Sequence, residues 1–249
     1  MNHLKNTCFL FLFSFVLLLS SNGALQAIGT YEDGWMLAKK LTKFESGGLL
    51  FESWEGEITV DSIEKKEECN EKKYECFTPK EQQIKFSVSL ENGAAINFLR
   101  NKKDRGSFLI HFRVHRIEAA KLKEDFEIIE AKDFETSPPG NFPSKKISRK
   151  TGSRNFSLYG RVVRLSDQGT MISTYEGLYL DMKRNKIHPF SVTDEEMAEH
   201  VIKAMQYEKP FYIGISVAIT TGFRKSDHDV FEINYTEEAG GVEIEKKNP

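Results

Sequence analysis

The chain repeats a segment of its own sequence at a constant offset of 121 positions, which separates Lys43 from Arg164 and Trp54 from Tyr175. Residues 43–56 read KFESGGLLFESWEG, and residues 164–177 read RLSDQGTMISTYEG. A repeat of this length predicts two copies of one small domain. Each copy has about the size at which a single hydrophobic core becomes self-sufficient.

Hydrophobic alternation predicts the same order of elements in both copies, strand-strand-strand-helix-strand-strand. The predicted strands cover residues 35–44, 49–60, 84–89, 108–115 and 126–129, and then 157–165, 170–180, 187–192, 211–219 and 230–235. A short helix is expected near residues 94–99, and a second begins at an apparent capping box, with Thr193 as N-cap and Glu196 at the third helical position. This order is the connectivity of a five-stranded OB-type barrel. We predict a mainly β chain of two tandem OB-like barrels, with an SH3-like barrel or an α+β sheet as the alternative.

The N-terminus has the composition of a secretory signal. Lys5 precedes an apolar run from Cys8 to Leu19, and small residues follow up to Ala24 or Ala27, either of which suits cleavage. The run is shorter than the roughly 20 residues that a membrane-spanning helix needs. We predict a signal peptide over residues 1–27, no stable membrane span after cleavage, and export to the periplasm, the outer surface or the medium.

Composition divides the remaining chain into four parts. Residues 136–155 hold three of the seven prolines and five basic residues without an acid, which is typical of a linker. The predicted boundaries are 28–135 for the first barrel, 136–155 for the basic linker, 156–236 for the second barrel and 237–249 for a flexible tail. The linker is either a solvated, protease-sensitive connector or a docking strip for an acidic surface, and charge runs usually favour the first interpretation.

The charge balance bears on the kind of partner. The chain has 35 Lys and Arg against 37 Asp and Glu, and loss of Lys5 with the signal leaves 34 basic residues and a formal charge of −3. A general nucleic-acid binder normally has a strong basic excess. We therefore expect a protein, peptide or glycan partner, no nucleic acid and no cofactor.

Two cysteines remain after signal cleavage, Cys69 and Cys76. In an exported chain they most simply form one disulfide. The loop between them is short, so the expected stabilisation is modest, roughly 2–3 kcal/mol. A zinc site is disfavoured because two ligands are too few, and no metal site is predicted.

The repeated segment contains the first candidate ligand-binding residues, Trp54 with Glu55 and Tyr175 with Glu176. They suggest a ligand-facing carboxylate beside an aromatic platform, with the glutamates on the apolar side of their strands. Alternatively, Gly56 and Gly177 mark a bulge or bend and each glutamate satisfies exposed backbone N–H groups. The occurrence in both copies favours the structural alternative.

Three further candidates share the polar face of one strand, His111, Arg113 and His115. The two histidines are four residues apart, roughly 13 Å on a strand, so no single ion bridges them. The row is either a solvated face or an anion-binding stripe that strengthens below about pH 6.5, where histidine becomes charged.

The best acid-base triplet is Asp227-His228-Asp229, in a predicted loop. Loops carry function, but these residues are also ordinary turn composition. The chain has no Gly-x-Ser-x-Gly elbow, His-Glu-x-x-His helix or phosphate-binding glycine loop. We therefore predict no catalytic residue.

Residues 43–58 resemble a family of uncharacterised small exported bacterial proteins with the signature K-F-S-x-K-G-x-x-x-K-T-W/Y-E-G-E-L. Some members of that family carry a sugar-phosphate dehydrogenase label. That activity is not implied here, because the chain has neither a Gly-x-Gly-x-x-Gly turn after a strand nor an alternating strand-helix order.

Together these observations predict an exported, non-catalytic binding or structural protein of the bacterial envelope or cell surface, for example an adhesin-like one. The alternative is a secreted or periplasmic hydrolase that uses Glu55, Glu176 or the Asp227–Asp229 loop.

Overall fold

The computed structural model describes residues 30–47, 53–66, 77–102, 106–115, 122–138, 142, 144–147, 152–168, 174–219 and 225–235. The predicted signal peptide, the Cys69–Cys76 pair and the predicted tail beyond residue 236 lie outside these residues and stay predictions. In the part of the chain that is described, no helix has the length and hydropathy needed to cross a membrane.

The described residues form eleven strands and two helices. The first copy contains β1 (Thr30–Ser46), β2 (Ser53–Lys65), β3 (Phe77–Ser89), α1 (Gly93–Lys102), β4 (Phe108–His115) and β5 (Phe126–Lys132). The second contains β6 (Lys145–Lys146), β7 (Gly152–Asp167), β8 (Tyr175–Asp181), β9 (Lys186–Val192), α2 (Glu195–Met205), β10 (Phe211–Ala218) and β11 (His228–Asn234).

Each copy closes into a five-stranded ring. In the first, β1 pairs antiparallel with both β2 and β4, β2 with β3 and β4 with β5, while β3 runs parallel to β5. In the second, β7, β8, β9, β11 and β10 repeat that order, and β7 closes on β10. With the helix between the third and fourth strands, this is the OB-type barrel, twice. The predicted fold class is confirmed.

The first strand of each barrel is longer than the sequence predicts, because it takes part in both halves of the ring. β1 pairs with β4 from Thr30 to Ala38 and with β2 from Ala38 to Ser46. The β1–β2 register shifts between Leu41 and Lys43, and the β7–β8 register shifts at the equivalent place, between Val162 and Arg164. Such bulges interrupt strict alternation, so the alternating pattern marks only the middle of each strand.

The glycines of the repeated segment each lie under a phenylalanine ring. Gly56 pairs with Phe86 and Gly177 pairs with Phe190, both in the third strand of their barrel. A Cβ atom at either glycine would overlap that ring. The β2–β3 register runs without a shift through Gly56, and the β8–β9 register runs without one through Gly177, so the interpretation of these glycines as bulge positions is wrong for these pairings. The glycines are required for space in the core.

The start of α2 also differs from the prediction by one residue. Asp194, not Thr193, is the N-cap, and its carboxylate accepts a hydrogen bond of 2.8 Å from the Met197 N–H. Glu196 therefore falls one position too early for a capping box.

The two barrels share one continuous sheet, because β1 also pairs antiparallel with β7. In this pairing Gly34 lies opposite Ser166 and Trp35 lies opposite Leu165. Gly34 has no side chain, and a Cβ there would lie 2.5 Å from the Ser166 Cα. The joint therefore depends on a close approach of two backbones that only glycine permits.

An apolar cluster fills the space between the barrels next to this joint. Its members are Leu37, Ile63 and Phe134 from the first copy and Val163, Leu178, Leu180 and Ile187 from the second. Trp35 and Leu109 of the first copy also pack against the core of the second. The barrels are thus fixed against each other by buried side chains as well as by backbone pairing.

Part of the predicted linker packs against the second barrel. The Phe142 ring lies 4.8 Å from that of His200 and 4.9 Å from that of Tyr235. β6 pairs with β11, and the Ile147 N–H donates to the Phe231 carbonyl at 2.9 Å. The prediction of a solvated connector is wrong for these residues.

The joint can be tested with Gly34→Ala. Because the new methyl group would overlap Leu165 and Ser166, we expect the free energy of unfolding to fall by about 2 kcal/mol, as for other overpacked positions. Urea denaturation of the full chain measures this. Gly93→Ala is the matched control, since a Cβ there meets nothing within 4 Å. Equal stability of the two variants would show that the β1–β7 approach is not tight.

Candidate functional site

The outer faces of the second and third strands differ between the two barrels. This face is where OB-type barrels bind their ligands. In the first barrel it carries polar residues, Glu57, Thr59, Gln83 and Lys85, all exposed or half-buried. In the second barrel it carries apolar residues, Leu178, Leu180, Ile187 and Pro189. The first barrel packs onto that apolar face through the cluster described above.

The packing leaves a cleft of about 300 Å³ at one end of the interface. Both copies contribute to it, and its lining residues are Glu32, Ser62, Ile63, Phe77, Arg164, Gln168, Glu176, Gly177, Leu178, Pro189 and Lys225. Ile63, Phe77, Leu178 and Pro189 form apolar walls, and the charged and amide side chains converge from β1, β7, β8 and the segment before β11. Apolar walls with a few converging polar groups are typical of ligand sites.

Glu32 organises the polar floor of the cleft. Its side chain is 6% exposed and accepts hydrogen bonds from Arg164, Ser166 and Gln168, the last at 3.0 Å. The Arg164 guanidinium lies 5.3 Å from the centre of the Phe112 ring. These contacts join β1 of the first barrel to β7 of the second and fix the orientation of both Arg164 and Gln168.

Two buried polar atoms of this floor have no hydrogen-bond partner among the described residues, Arg164 Nε and Gln168 Oε1. Arg164 Nε is a donor and the amide oxygen of Gln168 is an acceptor. Leaving such atoms unsatisfied is costly. The cleft can therefore offer one donor and one acceptor to a ligand once a small side-chain movement uncovers these two buried atoms.

Glu176 lines the cleft and holds the segment before β11. Its carboxylate accepts from the Ser191 hydroxyl at 2.7 Å and from the Lys225 N–H at 3.0 Å. Burial raises the pKa of Glu176, although the bonds from Ser191 and Lys225 act in the opposite direction.

The equivalent Glu55 has the same role in the first barrel. Its carboxylate accepts from the Ser53 hydroxyl at 2.6 Å and the Ser87 hydroxyl at 2.9 Å, and Ser87 in turn accepts from the Glu124 N–H at 2.9 Å. In both copies the repeated glutamate thus connects the second strand, a serine of the third strand and the last loop. The Glu176 contact with the Lys225 N–H agrees with the structural alternative, in which the glutamate satisfies a backbone N–H, whereas Glu55 reaches the Glu124 N–H only through Ser87.

The aromatic partners of these glutamates lie on the opposite face of their strands. Trp54 stacks on Phe44 at 5.1 Å against the first core, with Arg100 5.4 Å from its ring centre. Tyr175 packs against the second core, and burial raises the pKa of its phenol. Since Trp54 faces the core, Glu55 points outward. The expectation that the glutamates lie on the apolar side is wrong, and Trp54 and Tyr175 do not form an aromatic platform beside them.

The His111–Arg113–His115 row is compensated by carboxylates. Asp33 accepts from Arg113 Nε at 3.0 Å and lies 2.7 Å from His111 Nε2, while Glu127 lies 2.8 Å from His115 Nε2. Burial raises the pKa of Asp33, but His111 and Arg113 outweigh it and hold that pKa below its usual range. A row neutralised in this way is a poor anion-binding stripe.

The Asp227-His228-Asp229 triplet does not form an open acid-base site. The His228 side chain is about 1% exposed, and its ring lies 5.2 Å from that of Phe156 and 6.3 Å from that of His188. Burial, with smaller contributions from His188 and Arg154, lowers the pKa of His228 to about 4. His228 belongs to the interior of the second barrel and not to the cleft.

In the described part of the chain, no group of three or more His, Cys, Asp or Glu side chains could hold a metal ion. The predicted pair Cys69 and Cys76 lies outside it.

Of the predicted candidates, only Glu176 lines the cleft. The sequence analysis missed Glu32, Arg164, Gln168 and Lys225. A signal was available for one of them, because Gln168 stands where the first copy has Gly47. The cleft thus combines shared residues, such as Glu176 and Gly177, with positions such as Gln168 at which the copies differ.

The profile of a family described as Domain of unknown function (DUF8785) matches residues 29–138 and 152–240. The chain belongs to this family. The first matched range contains β1 to β5 and the second contains β7 to β11, so each covers one barrel of the DUF8785 chain. Among curated proteins, none matches it.

Solved structures similar to this DUF8785 chain include two of the single-stranded DNA binding protein from Thermus aquaticus. A deletion mutant is 9% identical with a TM-score of 0.22, and the match covers 84% of this chain and 95% of that chain. The wild-type form is 6% identical with a TM-score of 0.23, covering 84% and 93%. At these scores the likeness assigns no ligand to this chain.

The matches nevertheless contradict one prediction. The charge balance led us to exclude nucleic acid as a partner, yet the similar structures are those of single-stranded DNA binding proteins. The exclusion is wrong, and nucleic acid has to be included when ligands are tested.

The buried histidine of the second barrel predicts acid sensitivity. His228 is neutral when folded, so its contribution to stability is complete above its unfolded pKa of about 6.5 and is lost as the pH falls toward about 4. We expect the free energy of unfolding to drop by up to about 3 kcal/mol over this range. Urea denaturation at a series of pH values measures the drop. His228→Gln should flatten the curve of unfolding free energy against pH, and an unchanged curve in this variant would contradict the assignment.

Proposed function

We propose that this DUF8785 chain is an exported, non-catalytic binding protein of the bacterial envelope or cell surface, with its two barrels acting as one rigid body. Export is supported by Lys5, the apolar run and the small residues near Ala27. Binding is supported by the cleft, which combines apolar walls with converging polar groups. The cleft is the observation that carries the proposal.

The contacts of the candidate catalytic groups favour binding over hydrolysis. Glu55 and Glu176 lie in different barrels, and each is occupied in holding a serine and the last loop. His228 is buried, and its pKa of about 4 is far from the neutral value that suits a general base. The groups that a hydrolase would need are therefore engaged in stabilising the barrels.

Export can be tested by expressing the full chain in a bacterial host and separating cytoplasm, periplasm, membranes and medium. We expect a shortened chain in an exported fraction, with its new N-terminus just after Ala24 or Ala27, as mass spectrometry would show. The control is the same chain without residues 2–27, which should stay in the cytoplasm. Retention of the uncleaved chain in the cytoplasm would contradict the proposal.

The proposal that the protein is not a catalyst is tested separately. The protein is incubated with mixtures of peptides, glycans and oligonucleotides, and the masses of the bound and unbound compounds are measured by mass spectrometry. We expect the bound compounds to return chemically unchanged. Cleavage products that disappear in Glu176→Gln or in His228→Gln, but persist in the matched variant Glu57→Gln on the exposed face of the first barrel, would establish the hydrolase instead.

A further inference from the structure

We infer that the cleft between the barrels binds a short peptide segment, with its backbone on the Arg164–Gln168 floor and a side chain between the apolar walls. This inference rests on the proposed binding function and names the ligand class. The argument follows from the size, the walls, the free polar atoms and the charge of the cleft.

The size and walls suit a peptide side chain. The volume of about 300 Å³ is at the lower end of the range for ligand pockets, which admits a segment of chain but no folded domain. Ile63 and Phe77 of the first barrel and Leu178 and Pro189 of the second line this space. These walls are mostly aliphatic, so they favour an apolar side chain over a hydroxyl-rich sugar.

The floor offers what one peptide unit requires. Each non-proline residue has one N–H donor and one C=O acceptor. Gln168 Oε1 and Arg164 Nε are both buried without a hydrogen-bond partner among the described residues. After a small side-chain movement uncovers them, the first can accept from the peptide N–H and the second can donate to the peptide C=O. Glu32 already holds the two side chains in place. A ligand therefore bears little of the entropic cost of ordering them.

The charge of the cleft disfavours a phosphate backbone. The lining contains two carboxylates, Glu32 and Glu176, and two cationic side chains, Arg164 and Lys225, so their charges balance. Binding of a nucleic-acid strand relies on a strongly positive groove with aromatic side chains on which bases stack. A balanced cleft with a single aromatic wall residue, Phe77, among its lining residues is better matched to a peptide.

The first barrel has no equivalent of this site. Gln168 corresponds to Gly47, Leu178 to Glu57 and, through the Phe-Ser-Val match of the third strands, Pro189 to Lys85. The acceptor and two apolar wall residues are thus absent from the equivalent face of the first copy. The cleft is a property of the two-barrel assembly.

The inference is tested by incubating the full chain with a mixture of random tetrapeptides. The protein is purified from the cell fraction in which the export test finds it, and the bound peptides are recovered and sequenced. Mixed oligosaccharides and mixed-sequence single-stranded oligonucleotides go through the same assay. We expect enrichment of peptides with an apolar side chain. Gln168→Ala should weaken binding of an enriched peptide about tenfold, the loss typical of one hydrogen bond that leaves a buried partner unpaired. Gln83→Ala, on the exposed face of the first barrel, is the matched control and should bind like wild type.

A second measurement uses only the wild-type chain, so it does not require that a variant folds. Amide hydrogen exchange is measured with and without an enriched peptide. The peptide should protect β8 and residues 225–230 from exchange, and it should not protect residues 80–85. Enrichment of glycans or oligonucleotides in place of peptides would overturn the peptide inference and leave the binding function standing. Absence of any bound compound would overturn both. If the peptide binds Gln168→Ala with unchanged affinity and does not protect β8, the assignment of peptide binding to this cleft is overturned.

Discussion

The antiparallel pairing of β1 with β7 is the contact on which the rest of the molecule depends. β1 pairs with β2 and β4 of its own barrel and also with β7 of the other. Gly34 makes this possible because its backbone lies where any side chain would meet Leu165 and Ser166. The same pairing places Glu32 beside Arg164, so one backbone contact fixes the relative position of the barrels and assembles the floor of the cleft.

The outer faces of the second and third strands have opposite character in the two copies. In the first barrel this face is polar, with Glu57 paired opposite Lys85. In the second it is apolar, with Leu178 opposite Pro189, and the first barrel covers much of it. The first barrel therefore packs on the surface of the second barrel that a single OB-type barrel would offer to a ligand. The cleft is the part of that surface that the first barrel leaves uncovered.

The barrels could be predicted from the sequence because the patterns that indicate their strands involve residues close to one another in the chain. Alternation along each strand and the shared Phe-Ser-Val strands depend on neighbouring residues, and Gly56 meets Phe86 within one hairpin. The cleft could not be predicted in this way, since Glu32 and Arg164 are far apart in the chain and only the β1–β7 register brings them together. The shared candidates Glu55 and Glu176 hold the strands and last loop of each barrel, and the unshared row of His111, Arg113 and His115 is compensated by carboxylates.

The interior of the second barrel and the wall of the cleft are physically connected. The Ser226 hydroxyl donates to the Pro189 carbonyl at 2.9 Å and accepts from the His228 N–H at 3.1 Å. Pro189 is a wall of the cleft, and Lys225, next to Ser226, is bonded to Glu176 through its backbone. A proton on the buried His228 ring costs free energy because burial disfavours the charged form, and the backbone N–H of the same residue is bonded to Ser226. The residue of the second barrel that resists protonation is therefore joined through a single serine hydroxyl to the carbonyl of Pro189 in the cleft wall.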